Sequence, residues 1–393
     1  MNIGIASHFN PYEVREYLDN SSPIPCINPM TSSVNAIVRG LLQEGHHVTV
    51  FTSYPKKGDI SHLKGKNIDI YLIPSSPIIR PLKIFERIYM IGRLKKTIKL
   101  HINEIDVLHA HWTYEFAMAA SYFSKIKPTF CTVRDWCPYI FSLMKGLKGR
   151  LYWYISLQIF KKVMNDDSIK LVANSNYTYN QIINNYPNKK IVLIPNPIMK
   201  EYILNSKIKH PKSKTFISIA QALDEKRKNI RTLLQAFSIY KKRDPNSKLI
   251  LVGTYSKKMK QIWAKDNLLN GVILTGILNR EELYTEIDSS SVLIHPSEEE
   301  TFGNILLEGM ARCLPCIGGN ASGAVPMVLG YGKYGILCDI HTPNSLFEAM
   351  CKTEDEKAMN LLVSNASHYL KNNYQNDIIA QQHIDLYNSY LNL

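Results

Sequence analysis

Residues 295–319 read HPSEEETFGNILLEGMARCLPCIGG, a turn followed by an apolar run and a second turn. The apolar run predicts a helix that begins near Thr301 or Phe302, with Thr301 as its N-cap. The first backbone N–H groups of a helix have no partner within the helix, and with the helix dipole they favour an anion. Gly303 would let a phosphate approach this backbone closely. The stretch therefore predicts a phosphate site on the backbone of Phe302, Gly303 and Asn304.

Two carboxylates flank the predicted helix start. Glu300 precedes it, and Glu308 follows one to two turns along the helix. Carboxylates accept hydrogen bonds from paired hydroxyls, so a diphosphate between them would suit a nucleotide sugar, with a ribose at one end and a hexose at the other. Glu298 and Glu299 are predicted to be turn residues. The alternative is that Glu308 lies on the exposed face of an amphipathic helix and that all three leading acids form a solvated turn.

Strand and helix patterns alternate on both sides of this stretch. In the first half, apolar strand patterns lie at 2–7, 45–53, 105–112, 129–136 and 169–175. The alternation restarts after Pro195–Pro197 with strand patterns at 214–220, 248–254, 271–276 and 291–297. Strands that alternate with helices predict parallel sheets. We therefore predict the α/β class, with two doubly wound, Rossmann-like domains at 1–195 and 196–375. A C-terminal helix at 376–393 is expected to pack back on the first domain. The ligand is expected at the carboxyl ends of the strands, in a cleft between the domains.

The composition suits a globular protein with an anionic partner. At about 100–200 residues per domain, 393 residues indicate two domains. Lys and Arg exceed Asp and Glu by 47 − 33 = 14, which favours a nucleic acid, a nucleotide or an acidic membrane surface. The alternative is that the excess reflects only a Lys-rich composition.

The cysteines and the N-terminus indicate a cytoplasmic protein. Seven scattered cysteines give an odd count, which argues against a disulfide framework and for a reducing compartment. The pair Cys313 and Cys316 is interpreted as small apolar residues at a turn, because no second metal-ligand pair lies nearby. The N-terminal residues MNIGIASHFN do not resemble a signal peptide, and no run of about 18 apolar residues predicts a membrane span.

The segment from Glu300 to Glu308, continued by GMARCLPCIGG, resembles the Glu-x₇-Glu signature of the retaining GT-B glycosyltransferases, family 4 (glycosyltransferase group 1). Further segments resemble this family in the family's own order: GLLQEGHHVTVFTS at 40–53, DVLHAHWTY at 106–114, LVANSNYT at 171–178, IPNPI at 194–198 and KNIRTLLQAF at 228–237. The resemblance covers nearly the whole chain. It implies a GT-B fold and a metal-independent, retaining hexosyltransferase. It also implies a nucleoside-diphosphate sugar donor of the UDP or GDP type and no cofactor.

The resemblance also implies roles for individual residues. Glu300 is expected to bind donor-sugar hydroxyls near the reacting carbon, Glu308 the ribose hydroxyls, and Lys228 the diphosphate. The family's Gly-Arg pair before this lysine is missing, so Arg227 or Lys226 is expected to replace its arginine; the alternative is that this basic cluster is a solvated turn. The implied donor-binding set is Arg227, Ser297, Thr301, Phe302, Gly303, Asn304, Glu308, Gly323 and Ala324.

This chain departs from the family pattern at several places. Asn28–Ser33 stands where the family has a glycine-rich turn, and the long loop around it is expected to shape acceptor binding. Arg134 replaces a histidine, and its permanent charge is expected to act on the donor phosphate. Met327 occupies a glutamate position, so the backbone N–H groups of Gly323 and Ala324 are expected to cradle the donor. The implied catalytic set is Glu300, Lys228, Arg134 and His111. For His111 the alternative is a packed, hydrogen-bonded core histidine.

Residues 81–102, PLKIFERIYMIGRLKKTIKLHI, mix apolar residues at helical spacing with basic ones: Lys83, Arg87, Arg93, Lys95, Lys96 and Lys99. Such a segment is expected either to lie on an anionic membrane or to be an amphipathic helix packed on the sheet. Together with the resemblance, these features predict the transfer of a hexose to a lipid-linked saccharide acceptor. The product would belong to a bacterial surface polysaccharide (O-antigen, capsule or lipopolysaccharide). The enzyme is then expected at the inner face of the cytoplasmic membrane.

Two alternatives remain at this point. One is another nucleotide-sugar enzyme of the same fold, similar to an epimerase. The other is a nucleic-acid-binding α/β protein, which should place aromatic stacking platforms among basic residues. No such motif stands in the sequence, so no nucleic-acid partner is expected.

Overall fold

A computed structural model describes residues 1–19, 23–27, 32–75, 86–204, 211 and 213–391 of the chain. The chain forms two compact units. The N-terminal unit comprises Met1–Pro197 with Asn376–Leu393, and the C-terminal unit comprises Ile198–Gln375. Of the expected acceptor loop, positions 28–31 lie outside the described residues, as does Lys83 of the basic segment.

The N-terminal unit is built on an eight-stranded sheet of order β3-β4-β2-β1-β5-β6-β7-β8. Its strands are β1 Asn2–Ala6, β2 His47–Tyr54, β3 Ser61–Lys64, β4 Ile68–Pro74, β5 Val107–His111, β6 Thr129–Val133, β7 Ile169–Ala173 and β8 Ile191–Leu193. Its first six helices are α1 Ser32–Gln43, α2 Glu86–His101, α3 Glu115–Ser121, α4 Cys137–Leu143, α5 Leu147–Asn165 and α6 Asn176–Asn185. The strand pairs are parallel except β3 with β4.

The C-terminal unit is built on a six-stranded parallel sheet of order β11-β10-β9-β12-β13-β14. Its strands are β9 Thr215–Ala222, β10 Lys248–Thr254, β11 Val272–Gly276, β12 Val292–His295, β13 Cys316–Gly319 and β14 Ile336–Cys338. Its helices are α7 Ile230–Arg243, α8 Lys257–Lys265, α9 Arg280–Ser289, α10 Asn304–Ala311, α11 Val325–Val328, α12 Pro343–Lys352 and α13 Glu356–Asn373.

The strand order locates the site in each unit. The order reverses between β1 and β5 in the N-terminal unit and between β9 and β12 in the C-terminal unit. In doubly wound sheets, ligands bind outside the carboxyl ends of the strands at this point of reversal. The residues that follow these strands are therefore positioned to bind a ligand. The predicted architecture of two doubly wound α/β units is confirmed.

The last helix, α14 Asn376–Leu391, belongs to the N-terminal unit and packs along α1. The approach is close at Gly40, where a Cβ atom would lie 2.4 Å from the Asn376 carbonyl oxygen. Tyr387 is fully buried, and its hydroxyl lies 2.7 Å from His109 Nδ1. A residue larger than glycine at position 40 would therefore push α14 away from the core.

No helix among the described residues is both long enough and apolar enough to cross a bilayer. The described residues also contain no group of three or more His, Cys, Asp or Glu side chains that could hold a metal ion. All seven cysteines are free thiols, and burial raises the pKa of Cys316, which lies at the start of β13.

Candidate active site

Three segments of the C-terminal unit meet at the carboxyl ends of β9, β12 and β13. Two backbone hydrogen bonds join them: Glu298 N–H donates to the Arg227 carbonyl at 2.7 Å, and Ala324 N–H donates to the Glu300 carbonyl at 2.9 Å. The site therefore combines three turns of the chain, which hold Lys228, Glu300 and Gly323.

Lys228 and Glu300 form the centre of this site. Lys228 Nζ donates to Glu300 Oε1 at 2.5 Å, and His295 Nε2 lies 3.1 Å from the same oxygen. Burial opposes ionisation of Glu300, but Lys228 and His295 outweigh it and hold the pKa of Glu300 well below its usual range. Glu300 is therefore an ionised carboxylate with a cation fixed beside it. The contribution of His295 was not predicted from the sequence.

The helix after the acidic turn begins later than predicted. Helix α10 starts at Asn304, and Gly303 is its N-cap with φ 91°. The prediction that Thr301 is the N-cap was wrong, because the left-handed conformation of Gly303 turns the chain into the helix. The Phe302 side chain is 2% exposed and packs against Tyr374, with ring centroids 6.0 Å apart. Phe302 thus anchors the turn in the core, and only its backbone remains available to the predicted anion site.

Gly323 holds the backbone of Glu300. Its φ is 59°, and a Cβ atom there would lie 2.3 Å from the Glu300 carbonyl oxygen. The Gly323 N–H donates to the Ala321 carbonyl at 3.1 Å, and the Ala324 N–H donates to Glu300. Both N–H groups thus have protein acceptors, and the Ala324 contact holds the Glu300 backbone in place. The expectation that these N–H groups cradle the donor stays a prediction.

Glu308 is buried within α10 rather than exposed on an amphipathic face. Its Oε1 lies 3.7 Å from Arg280 Nη1. The Arg280 guanidinium lies beside a pair of contacting aromatic rings, 5.6 Å from the Tyr202 centroid and 5.8 Å from the Tyr284 centroid. A buried carboxylate needs a nearby cation, and Arg280 supplies one at the start of α9. The sequence offered no signal for Arg280, which lies 28 positions before Glu308.

The remaining predicted donor residues differ in their surroundings. Ser297 is 1% exposed, and Arg227 Nε donates to Glu225 Oε2 at 3.0 Å. Glu299 was predicted to be a turn residue like Glu298, but it is 8% exposed. The simple picture of a solvated acidic turn was therefore wrong for Glu299.

Arg134 and His111 lie at the carboxyl ends of β6 and β5 in the N-terminal unit. Arg134 Nη1 donates to Ser33 Oγ at 2.9 Å and to Asn196 Oδ1 at 2.7 Å, and Nε donates to His111 Nδ1 at 3.2 Å. Burial lowers the pKa of Arg134 to about 9, so the guanidinium is still charged at neutral pH. Burial and then Arg134 hold the pKa of His111 well below its usual range. These contacts match the packed-histidine alternative for His111, and the catalytic role of both residues stays a prediction.

The N-terminal unit contains a cavity that the sequence interpretation missed. It has a volume of about 240 Å³ and lies at the carboxyl ends of β1, β2, β4, β5 and β6. The N-terminal cavity, as we call it, is lined by His8, Ser53, Ser75, Glu86, Arg87, Met90, Trp112, Tyr114, Glu115, Asp135, Tyr152 and Trp153. Arg87 is one of the basic residues of the segment 81–102; its side chain is 11% exposed and pairs with Glu115, which fits the alternative of a helix packed on the sheet for this residue.

The two units match two family models in tandem. Residues 30–201 match the model described as Glycosyltransferase Family 4, and residues 200–376 match the one described as Glycosyl transferases group 1. The chain belongs to the family 4 (group 1) glycosyltransferases. This confirms the family that the Glu300–Glu308 segment indicated.

Relatives of this glycosyltransferase match along most of its length. It is 26% identical over 350 residues to an uncharacterized glycosyltransferase of Methanocaldococcus jannaschii, covering 88% of this chain and 91% of that protein. It is 25% identical over 323 residues to alpha-monoglucosyldiacylglycerol synthase of Acholeplasma laidlawii, covering 75% and 77%. A solved structure of Anabaena HepE in complex with UDP and glucose has a TM-score of 0.70 at 15% identity, covering 99% of this chain and 100% of that one. This structural likeness shows the GT-B fold of the glycosyltransferase.

Proposed function

We propose that this glycosyltransferase moves a hexose from a nucleoside diphosphate sugar, of the UDP or GDP type, to a saccharide hydroxyl with retention at the anomeric carbon. The observation that carries the proposal is the buried pair of Lys228 and Glu300 beside the start of α10. The pair combines one fixed cation with one fixed carboxylate. The cation can stabilise the charge of a diphosphate leaving group, and the carboxylate can accept hydrogen bonds from sugar hydroxyls.

The proposed reaction breaks the bond between the donor C1 and the oxygen of the β-phosphate. The bonding electron pair leaves on the diphosphate, and the acceptor oxygen forms the new bond to C1 on the same face of the sugar. The acceptor proton passes to the departing phosphate oxygen, so the products are a glycoside and a nucleoside diphosphate. This route requires no general base from the protein.

Negative charge grows on the diphosphate as the C1–O bond breaks, so positive groups at that place lower the barrier. Lys228 and the backbone N–H groups at the start of α10 are the groups we assign to this task. Glu300 holds Lys228 and accepts hydrogen bonds from the donor sugar. Glu308, which lies beside the Arg280 guanidinium, accepts hydrogen bonds from the ribose hydroxyls.

We further propose a lipid-linked acceptor and a role in surface polysaccharide synthesis at the inner face of the cytoplasmic membrane. The relative named a glucosyldiacylglycerol synthase supports a lipid acceptor. Helix α2 supports contact with a membrane: Leu100 is 68% exposed and Ile88 51%, and Lys96 and Lys99 are exposed on the same helix. Leu94 of α2 packs in the core, so only one face of the helix would meet the lipid.

The test is an NMR assay of the purified enzyme with UDP-glucose, UDP-galactose, UDP-N-acetylglucosamine and GDP-mannose, each with a set of methyl glycosides as acceptors. We expect one donor to release its nucleoside diphosphate and to give a product with the anomeric configuration of the donor. Glu300→Gln should abolish turnover, and Glu298→Gln should retain it. An inverted product, or no release from any donor, would refute the proposal.

A further inference from the structure

Asn229, the residue after Lys228, has a rare backbone conformation. Its φ is 51° and its ψ is 31°, in the left-handed region, at the N-cap of α7. This region costs conformational energy for every residue except glycine, and asparagine is one of the few other residues that enter it. A residue keeps such a conformation when the surrounding contacts enforce it. The contacts of Asn229 therefore hold the turn that carries Lys228 in shape.

Both polar atoms of the Asn229 side chain are used in hydrogen bonds. Its Nδ2 donates to the Ile340 carbonyl at 2.7 Å, and its Oδ1 accepts from Thr232 Oγ1 at 2.6 Å. A carbonyl oxygen only accepts, so the amide nitrogen must face Ile340. The side chain does not cap the backbone of α7, which is the common task of an N-cap asparagine. Instead, it joins the turn after β9 to a distant part of the chain.

The partner of this bond belongs to a well-ordered turn. Ile340 lies between β14 and α12, 111 positions after Asn229, and is 2% exposed in the core of the C-terminal unit. On either side of it, the Asp339 N–H donates to Ser345 Oγ at 3.2 Å and the His341 N–H donates to Asp339 Oδ1 at 2.9 Å. The Ile340 carbonyl is therefore a fixed acceptor.

The residue before Lys228 is held as well, but in a different way. The Arg227 carbonyl accepts from the Glu298 N–H at 2.7 Å, which is a bond between two backbone groups. That bond does not depend on which side chain stands at position 227. Lys228 therefore lies between a backbone bond on one side and the Asn229 side chain on the other, and only the second can be removed by substitution.

The ion pair of Lys228 with Glu300 depends on this placement. Lys228 Nζ lies 2.5 Å from Glu300 Oε1, and its side chain is 11% exposed. Lysine carries its charge on a flexible four-carbon stem, so the ammonium takes one position only where the backbone below it is fixed. The hydrogen bonds of the Asn229 side chain go to Ile340 and Thr232 and not to Glu300. Asn229 thus acts on the carboxylate only through Lys228.

We propose that Asn229 is a positioning residue for Lys228. Its side chain joins the turn after β9 to the turn after β14 and so keeps the ammonium beside Glu300 and the start of α10. The effect on turnover rests on the proposed function, in which Lys228 acts on the leaving diphosphate. The effect on the ion pair does not, because the pair is present without substrate.

Two variants separate the Asn229 side chain from its backbone conformation. Glycine adopts a φ of 51° readily but has no side chain. Aspartate keeps the size and the acceptor for Thr232, but it has no N–H to donate to Ile340. Asn267→Gly is the matched control, because Asn267 also has a left-handed backbone, with φ 56°, and is exposed after the end of α8.

The first test is a double-mutant cycle on kcat. We expect Asn229→Gly and Asn229→Asp each to lower kcat about tenfold, and Asn267→Gly to leave it within about twofold. In a Lys228→Met background, Asn229→Gly should change kcat less than about twofold, because no ammonium is left to misplace. If Asn229→Gly lowers kcat by the same factor with and without Lys228, or does not lower it at all, the inference fails.

The second test needs no substrate. Urea unfolding at pH 7 measures how far Glu300→Gln lowers the midpoint in the unmodified, Asn229→Gly and Asn267→Gly proteins. We expect the decrease to be at least halved in the Asn229→Gly protein only, because its ion pair is already weakened. Equal decreases in all three overturn the inference, whatever the donor assay shows. If the decrease is halved as expected and no donor is turned over, Asn229 positions Lys228 and the proposed function fails.

Discussion

Lys228 Nζ lies 2.5 Å from Glu300 Oε1, although the two residues are 72 positions apart in the sequence. Their side chains are 11% and 17% exposed. The pair joins the turn after β9 to the turn after β12, the two strands between which the sheet order of the C-terminal unit reverses. One interaction therefore fixes both a cation and a carboxylate where such sheets bind ligands.

Replacing Lys228 by methionine should remove the main cation for the departing diphosphate. Loss of one such group costs about 10²–10³ in kcat, or roughly 2.7–4 kcal/mol. We expect a decrease of that size in kcat of the donor reaction. Lys242→Met, an exposed lysine on α7, is the matched control and should stay within twofold of the unmodified enzyme. Equal activities of the two variants would contradict the role of Lys228.

The Glu300 carboxylate should make the stability of the protein depend on pH. Its pKa in the folded protein lies well below the ordinary value of 4.5, so the folded state binds fewer protons than the unfolded state. The stabilisation is complete above about pH 4.5 and is lost as the pH falls through the folded-state pKa. Urea unfolding should therefore show Glu300→Gln less stable than the unmodified protein at pH 7, with a difference that shrinks in acid. A difference that does not change with pH would argue against this ion pair.

Gly323→Ala should reduce activity because its Cβ atom would displace the Glu300 backbone. The added atom would lie 2.3 Å from the Glu300 carbonyl oxygen. Gly332 has a φ of 92° and open space around it, so Gly332→Ala carries only the conformational cost of about 1–2 kcal/mol. We expect kcat/KM to fall at least tenfold for Gly323→Ala and to stay nearly unchanged for Gly332→Ala. A similar loss in both variants would show that backbone strain, and not contact with Glu300, is responsible.

Contact with a membrane should depend on the exposed face of α2. Lys96→Glu with Lys99→Glu reverses two exposed charges, and each basic residue near an anionic surface is worth about 1 kcal/mol. The double variant should bind vesicles that contain phosphatidylglycerol at least tenfold more weakly in a sedimentation assay. Lys257→Glu with Lys258→Glu on α8 is the matched control. If the α2 double variant and the α8 double variant bind the vesicles equally, the membrane proposal fails.

The sequence predicted the parts of the molecule that depend on local pattern. Apolar runs bounded by turns located the strands, and the resemblance of the Glu300–Glu308 segment to a family signature indicated the candidate site. The start of α10 was missed because Gly303 takes the left-handed conformation that turns the chain into the helix, and because Phe302 before it packs against Tyr374, which is far away in the sequence.

The N-terminal cavity could not be predicted for the same physical reason. Arg87 lies among lysines in the sequence, where it looks like another exposed base. Its partner Glu115 follows 28 positions later, on a different helix. Only the packing of α2 against α3 brings the two together. Pairs across elements carry no periodic signal, so a single sequence does not reveal them.

The most direct test of the donor site is isothermal titration of UDP, GDP and ADP into the unmodified protein, Glu308→Ala and Glu298→Ala. We expect one nucleotide to bind the unmodified protein, Glu308→Ala to weaken that binding at least tenfold, and Glu298→Ala to leave it within twofold. If no nucleotide binds, or if Glu308→Ala binds as tightly as the unmodified protein, the C-terminal unit does not hold the donor in the way proposed.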